Sequence, residues 1–300
     1  MEVLMRRVVE GLLDRLVAPP VARAEKPLTK QIAKVDRKVT RLANKLRKQR
    51  KATKKANEAA KREAEKAARR KAKKHPAWTY EGDGMATTHL SPFLDDPEFS
   101  DLYEEMAAEW FPNVARMEAR WRTWLLTRFA RHCQPLKGSF AEFGTYRAGY
   151  AFMILGLTDI ERIYLFDTFK GIPGDRLTDY EQKASFAGRL TETSPEYVEG
   201  RLSRWPGRFE ICAGDVFDTL PRTETGPLAF ISMDLNAAAP TTFALEYAYP
   251  RLVPGGTLVF DDYGARGFHD QRTVIDEFFS DKPDQVIALP TCQGIVVKKP

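Results

Sequence analysis

Three hundred residues, 43% hydrophobic and 29% charged, have room for one large globular domain or for a domain with an appendage. The net charge of +6 averages two unlike parts: residues 1–75 hold 25 Lys and Arg against 8 Asp and Glu, and the remainder holds 22 against 33. Cys133, Cys212 and Cys292 lack metal-ligand spacing and point to reduced thiols in a cytoplasmic protein, no apolar run approaches the roughly 18 residues that span a bilayer, and the charged start has no secretory cleavage site.

Residues 3–17 put Val8, Val9, Leu12, Leu13, Leu16 and Val17 on one face of a short helix that Pro19-Pro20 ends. That face suits a partner protein, preferred here, or a membrane surface. From Leu28 the apolar positions Leu28, Ile32, Val35, Val39, Leu42 and Leu46 recur at alternating spacings of four and three, a heptad seam. Beyond Leu46 the chain is almost wholly Lys, Arg, Ala and Glu, strongly helical with little to bury. The pattern predicts one long helix over 26–73, coiled near its start and solvated near its end. Its charge fits an anionic surface or another polyanion, or belongs to a solvated spacer that makes the protein a homo-oligomer. The spacer is favoured, because no aromatic residue interrupts 1–75 to stack on bases.

Residues 76–137 read as a linker, Ala77 to Pro97, followed by aromatic-rich helices from Pro97 to Cys133 with a turn at Phe111-Pro112-Asn113. These helices are expected to pack on the body, residues 138–300. There, SFAEFG (139–144), RIYLFD (162–167) and FEICAGD (209–215) read as strands, with a helix from Ala148 to Leu157 and a long polar insert from Thr168 to Gly207. Leu228 to Gly264 reads as strand, helix, strand: LAFISMD, a helical segment from Pro240 to Leu252 that PGG stops, and GTLVFDD. A helix from about His269 to Asp281 precedes two closing strands, QVIALP (285–290) and GIVVKK (294–299), too close for a helical crossover.

If the organising strands are parallel neighbours, Asp234 and the pair Asp261/Asp262 converge at the sheet's carboxyl edge, where open α/β sheets bind ligands. Three ionised carboxylates need a compensating charge, and an all-oxygen set suits magnesium, calcium or manganese; otherwise these are ordinary loop and cap acids. At the first strand's end, Glu142-Phe-Gly144-Thr-Tyr-Arg-Ala-Gly149 allows a tight turn and a close backbone approach at Gly144, with Gly149 letting the helix start near the strand. Asp167 ends the next strand, placed to accept ribose hydroxyls, and Gly214-Asp215 ends the third on the edge that would meet an adenine. With their loop neighbours Tyr146, Thr168, Phe169 and Val216 these form the candidate cofactor-binding set; the alternative for each acid is a helix cap.

EFGTYRAGYA, IYLFDTFKGIPG, GDVFDTLP, SMDLNAAAPT, YPRLVPGGTLVFDDYG, VIDEFF and LPTCQGIVVK, in this order over about residues 138–299, resemble the macrocin/mycinamicin O-methyltransferase (TylF-type) family. The resemblance implies an α/β, Rossmann-like class I methyltransferase sheet, mostly parallel with its last strand antiparallel. It also implies an S-adenosyl-L-methionine-dependent enzyme that needs Mg²⁺ and methylates a sugar hydroxyl. By position, Asp234, Asp261 and Asp262 become the metal ligands, and Glu142, Gly144, Asp167 and Asp215 line the cofactor. Where the family usually places a second acid and then a Tyr after Asp234, this chain reads Leu235-Asn236-Ala237-Ala238, so the acceptor-side wall is changed. The basic arm has no counterpart there. Asp234 and His269 are the candidate catalytic residues; His269 is either a general base or a surface residue opening a helix, with Lys170 and Tyr263 as lesser bases. The insert, with Phe186, Tyr197 and Trp205, is the expected lid and acceptor pocket. Rival readings are a catechol-type O-methyltransferase, a nucleic-acid methyltransferase and a coiled-coil scaffold with an idle body.

Overall fold

The computed structural model describes residues 78–110 and 118–300 and, within the arm, residues 34–35, 37–42, 44–45, 47–51, 53–54 and 61–62. The chain divides into two compact units, Met1–Pro76 and Ala77–Pro300. In the first, every described residue is helical and exposed; the seam residues Val35, Val39 and Leu42 stand 60, 44 and 58% exposed. Leu28, Ile32, Leu46 and the helix expected over 3–17 lie outside the described residues.

The stretch expected to be a linker opens with a hairpin, β1 (Tyr80–Gly82) and β2 (Met85–Thr87). Its two turn residues, Asp83 and Gly84, both have positive φ, 50° and 75°, as a two-residue turn matched to strand twist requires. Asp-Gly is the signal for such a turn. Helices α1 (Pro97–Trp110) and α2 (Arg120–Cys133) follow, as the aromatic pattern indicates. Phe93, Phe99, Trp121 and Trp124 pack edge-to-face or tilted around Phe93.

The body alternates β3 (Ser139–Phe143), α3 (Gly149–Leu157), β4 (Ile163–Asp167), the insert with its short helices α4 (Asp179–Lys183) and α5 (Pro195–Arg201), β5 (Phe209–Ala213) and α6 (Val216–Thr219). Then come β6 (Leu228–Met233), α7 (Ala238–Ala248), β7 (Leu252–Phe260), α8 (His269–Phe279), β8 (Ile287–Ala288) and β9 (Gly294–Val297). The sheet order is β5-β4-β3-β6-β7-β9-β8. The first five strands run parallel, and β9 pairs antiparallel with both β7 and β8. Side chains alternate between faces. Phe140, Leu165, Phe230 and Val259 pack with α1, α2 and α3. Ala141, Phe166, Ile231 and Leu258 pack with α7 and α8 on the other face.

Two boundaries differ from the sequence reading. PGG does not end a helix: α7 stops at Ala248, β7 begins at Leu252, and Pro254-Gly255-Gly256 lies inside the strand. Pro254 has no N–H for the ladder, and the β6–β7 register shifts from Leu228↔Leu252 to Phe230↔Thr257 across this segment. Of QVIALP only Ile287 and Ala288 are strand, and β8 takes the sheet edge while β9 fills the place beside β7.

Candidate active site

Parallel strands β3, β4, β6 and β7 end side by side, and the loops leaving them hold the backbone in costly shapes. Tyr146, Ala148, Phe169 and Asn236 are non-glycine residues at φ of 48 to 58°. Such strain gathers where structure is fixed for a ligand. Gly144, at φ 86°, crosses so close to the end of β6 that a Cβ there would lie 2.0 Å from the Asp234 carbonyl oxygen. Gly149 is needed for a similar reason, since its Cβ would meet the Trp110 indole at 2.8 Å.

Around these ends lies a cavity of about 380 Å³. Its lining includes Glu142, Gly144, Tyr146, Gly149, Asp167, Thr168, Asp215 and Val216 from the expected cofactor set, together with Asp234, Asp261 and Asp262. Phe169 and Gly214 are not in the lining. They act beneath it: the Phe169 N–H donates to Asp167 Oδ1 at 2.7 Å, and the Gly214 N–H donates to the Asp167 carbonyl at 2.8 Å. Asp167 Oδ2 accepts the Tyr146 N–H at 2.6 Å. Each Asp167 oxygen keeps acceptor capacity beyond these bonds. Burial raises the Asp167 carboxyl above its ordinary range. Glu142 is 2% exposed, and its Oε2 is buried without a hydrogen-bond partner. Burial and then Asp167 push its carboxyl well up, so a cationic ligand group fits there. Asp215 caps α6 through the Phe217 N–H and also carries Arg176 at 3.0 Å, so the insert reaches the edge expected to meet an adenine.

At the other end, Asp234, Asp261 and Asp262 offer carboxylate oxygens all within 4.8 Å of one another. Asp261 is 4% exposed and tightly held: Oδ1 accepts from the Tyr150 hydroxyl at 2.7 Å and from Gln293 Nε2 at 3.3 Å, and Oδ2 accepts Arg122 Nη1 at 2.7 Å. Arg122 Nη1 also reaches Asp262 Oδ1 at 3.1 Å. Asn236, left-handed as asparagine tolerates, donates its side-chain amide to Asp234 Oδ1. Burial, then Asp261 and Asp262, push Asp234 well above the carboxylate range; burial, then Asp261, bring Asp262 to about 7. One guanidinium does not offset three clustered acids. The all-oxygen donor set, free of His and Cys, fits a hard divalent cation.

Arg122, Tyr150, Gln293 and Trp110 were not legible as site residues one by one, although Arg122 left a trace. On α2 the buried positions are Arg122, Thr123, Leu126, Thr127, Ala130 and Cys133, so a lone arginine sits on an otherwise uncharged face. A buried arginine requires a partner.

His269 opens α8 with its ring exposed and Nδ1 3.1 Å from Asp270, and it does not line the cavity. Gln271 and Ile275 supply that helix's buried face, which turns His269 outward. Lys170 and Tyr263 are also outside the lining, and the Tyr263 hydroxyl donates to Asp276. The insert does roof the cavity, but through Ile172, Pro173, Arg176, Leu177, Arg189 and Leu190. Of the three aromatics expected to line it, Phe186 packs with Leu177 and Ala237, Trp205 packs edge-on to Phe152, and Tyr197 lies under Arg147. The roof is fastened at its far side: buried Glu181 accepts the Ala238 N–H at 2.8 Å, and Thr178 donates to Asp270 at 2.5 Å.

The family model described as Macrocin-O-methyltransferase (TylF) matches residues 104–286. A named relative from Streptomyces olivaceus, 8-demethyl-8-(2,3-dimethoxy-alpha-L-rhamnosyl)-tetracenomycin-C 4'-O-methyltransferase, is 28% identical over 145 residues. That match spans 44% of this chain and 56% of the relative's length. Mycinamicin III 3''-O-methyltransferase of Micromonospora griseorubida is 26% identical over 219 residues, covering 63% of this chain and 84% of the relative. Among solved structures, the O-methyltransferase NovP superposes with a TM-score of 0.57 at 21% identity, covering 66% of this chain and 88% of its own. The calicheamicin methyltransferase CalS11 gives 0.53 at 18%, covering 73 and 99%. The fold is that of the class I methyltransferases.

Proposed function

Because this chain belongs to the macrocin-O-methyltransferase (TylF) family, we propose that it transfers a methyl group from S-adenosyl-L-methionine to a hydroxyl of a sugar-containing acceptor, with Mg²⁺ held by Asp234, Asp261 and Asp262. The observation that carries this reading is the close approach of those three carboxylates in the same cavity as Glu142, Asp167 and Asp215. The rhamnosyl group in one relative's name supports a glycoside as the acceptor.

Bound S-adenosyl-L-methionine supplies the electrophilic methyl carbon, and a bound divalent ion supplies Lewis acidity toward the acceptor hydroxyl. The protein's own residues do the rest. Asp167 and Asp215 orient the nucleoside, and Glu142 answers positive charge at the first strand's end. Tyr150, Gln293 and Arg122 fix Asp261, so its carboxylate needs little reorganisation during the reaction. Without an ion the proton affinities of Asp234 and Asp262 are raised, so both must give up protons before the trio can hold a divalent cation. Ile172, Leu177 and Leu190 of the roof exclude water, and most of the rate comes from positioning. No transmembrane-length apolar helix occurs among the described residues.

The experiment is tritium transfer from methyl-labelled S-adenosyl-L-methionine into a panel of deoxysugar glycosides, with excess Mg²⁺ or EDTA. Label should reach a sugar oxygen with Mg²⁺ and fall at least a hundredfold with EDTA; transfer indifferent to EDTA refutes the metal role. For the arm we propose self-association through the seam that includes Val35, Val39 and Leu42. Light scattering should then show a smaller assembly for V35D/V39D/L42D, and an unchanged mass refutes it.

A further inference from the structure

We propose that Arg122 is a positioning residue that acts as a built-in counter-cation: it orients Asp261 and Asp262, and it sets how tightly the carboxylate trio holds its divalent ion. This rests on the metal reading above. All three nitrogens of the guanidinium are committed. Nε and Nη2 form a fork on Asp83 at 2.9 and 2.9 Å, while Nη1 bridges Asp261 Oδ2 at 2.7 Å and Asp262 Oδ1 at 3.1 Å. The side chain is 9% exposed. Asp83 reaches it from the turn of the β1–β2 hairpin. The hairpin that the sequence reading took for linker thus delivers a carboxylate to the back of the site.

Two consequences follow from this geometry. An arginine keeps its proton at every accessible pH, so its charge is permanent, unlike that of a lysine or histidine. With the divalent ion absent, Arg122 lessens the repulsion between Asp261 and Asp262 and keeps both aimed. With the ion present, two cations share the same carboxylates, and their mutual repulsion loosens the ion's hold. Even at an effective dielectric of about 20, a unit charge and a double charge a few ångströms apart repel by enough to change affinity roughly tenfold or more. Asp83 moderates this, because it offsets the Arg122 charge from the far side. The site is therefore arranged before its ion arrives and releases the ion readily.

The test is Mn²⁺ binding to the full chain, read from the free-ion EPR signal without acceptor, for wild type, R122M, R122K, D83N and D234A. Removing the resident charge in R122M should tighten Mn²⁺ about tenfold or more. D83N should weaken it several-fold, because the Arg122 charge is then less offset, and R122K should stay within a few-fold of wild type. A brace without an electrostatic role predicts the same direction for R122M and D83N, or no change, and either result overturns the proposal. If R122M does not fold, judged by its melting curve, D83N decides: weaker binding supports the proposal, and unchanged or tighter binding overturns it. Equal Mn²⁺ binding by wild type and D234A sinks the metal reading itself, and the Arg122 role with it; binding lost in D234A but unmoved by R122M and D83N sinks the Arg122 role alone.

Discussion

Lowering the pH should stabilise this protein when no divalent ion is present, the reverse of ordinary acid denaturation. The folded-state proton affinities of Glu142, Asp167, Asp234 and Asp262 are all raised, chiefly by burial. A carboxyl whose folded pKa lies above its unfolded value adds stability that is complete below the unfolded pKa and is lost as pH rises through the folded one. For Asp262, which moves from 3.8 to about 7, that window runs through pH 4 to 7. At about 1.4 kcal/mol per pH unit of displacement, Asp262 alone gives about 2 kcal/mol more stability at pH 5.5 than at pH 8. Glu142 and Asp234 add in the same direction. A divalent ion replaces those protons, so Mg²⁺ at a hundred times its dissociation constant should restore about 2.7 kcal/mol at pH 8 and less at pH 5.5. The assay is guanidinium denaturation at a series of pH values, in EDTA and in Mg²⁺, with D262N as control. D262N should flatten the EDTA curve. Stability in EDTA that climbs from pH 5.5 to 8, or curves that Mg²⁺ leaves unaltered, refutes the reasoning.

The contact between Gly144 and the Asp234 carbonyl makes G144A a test of how β3 and β6 are joined. Alanine at φ 86° costs about 1–2 kcal/mol before the 2.0 Å contact pushes β6 aside. The midpoint in guanidinium should therefore fall and S-adenosylhomocysteine binding, read by calorimetry, should be lost; a variant that keeps both shows that the loop can move without cost. Glu181 ties the insert to the first turn of α7, and E181Q swaps a charged acceptor for a neutral amide at a helix N-terminus. We expect a loss of about 1–3 kcal/mol and faster amide exchange over residues 171–190; exchange as slow as in wild type would show that the roof is held elsewhere.

The central strands β4, β6 and β7 were readable because each is a short apolar run followed by an acid, the pattern of a strand buried on both faces. Asp167, Asp234 and Asp261/Asp262 could be located for the same reason: they are the first polar residues after runs of four to six buried ones. Distance in the chain hid the rest. Arg122 lies 139 positions from Asp261, and nothing local says that its helix face meets the carboxyl end of β7. The lid aromatics misled because bulk on an insert can serve packing as well as binding: Trp205 fills space beside Phe152, while the smaller Ile172 and Leu190 reach the cavity. Asp83-Gly84 carries a hairpin-turn signal that the linker expectation passed over, and nothing local names Arg122 as its partner.

The most direct measurement is anomalous diffraction from a crystal grown with Mn²⁺ and S-adenosylhomocysteine. The account predicts one manganese peak at about 2.0–2.2 Å from oxygens of Asp234, Asp261 and Asp262, with the nucleoside ribose on Asp167. Bound S-adenosylhomocysteine with no peak at the trio, or a peak held by other residues, contradicts it.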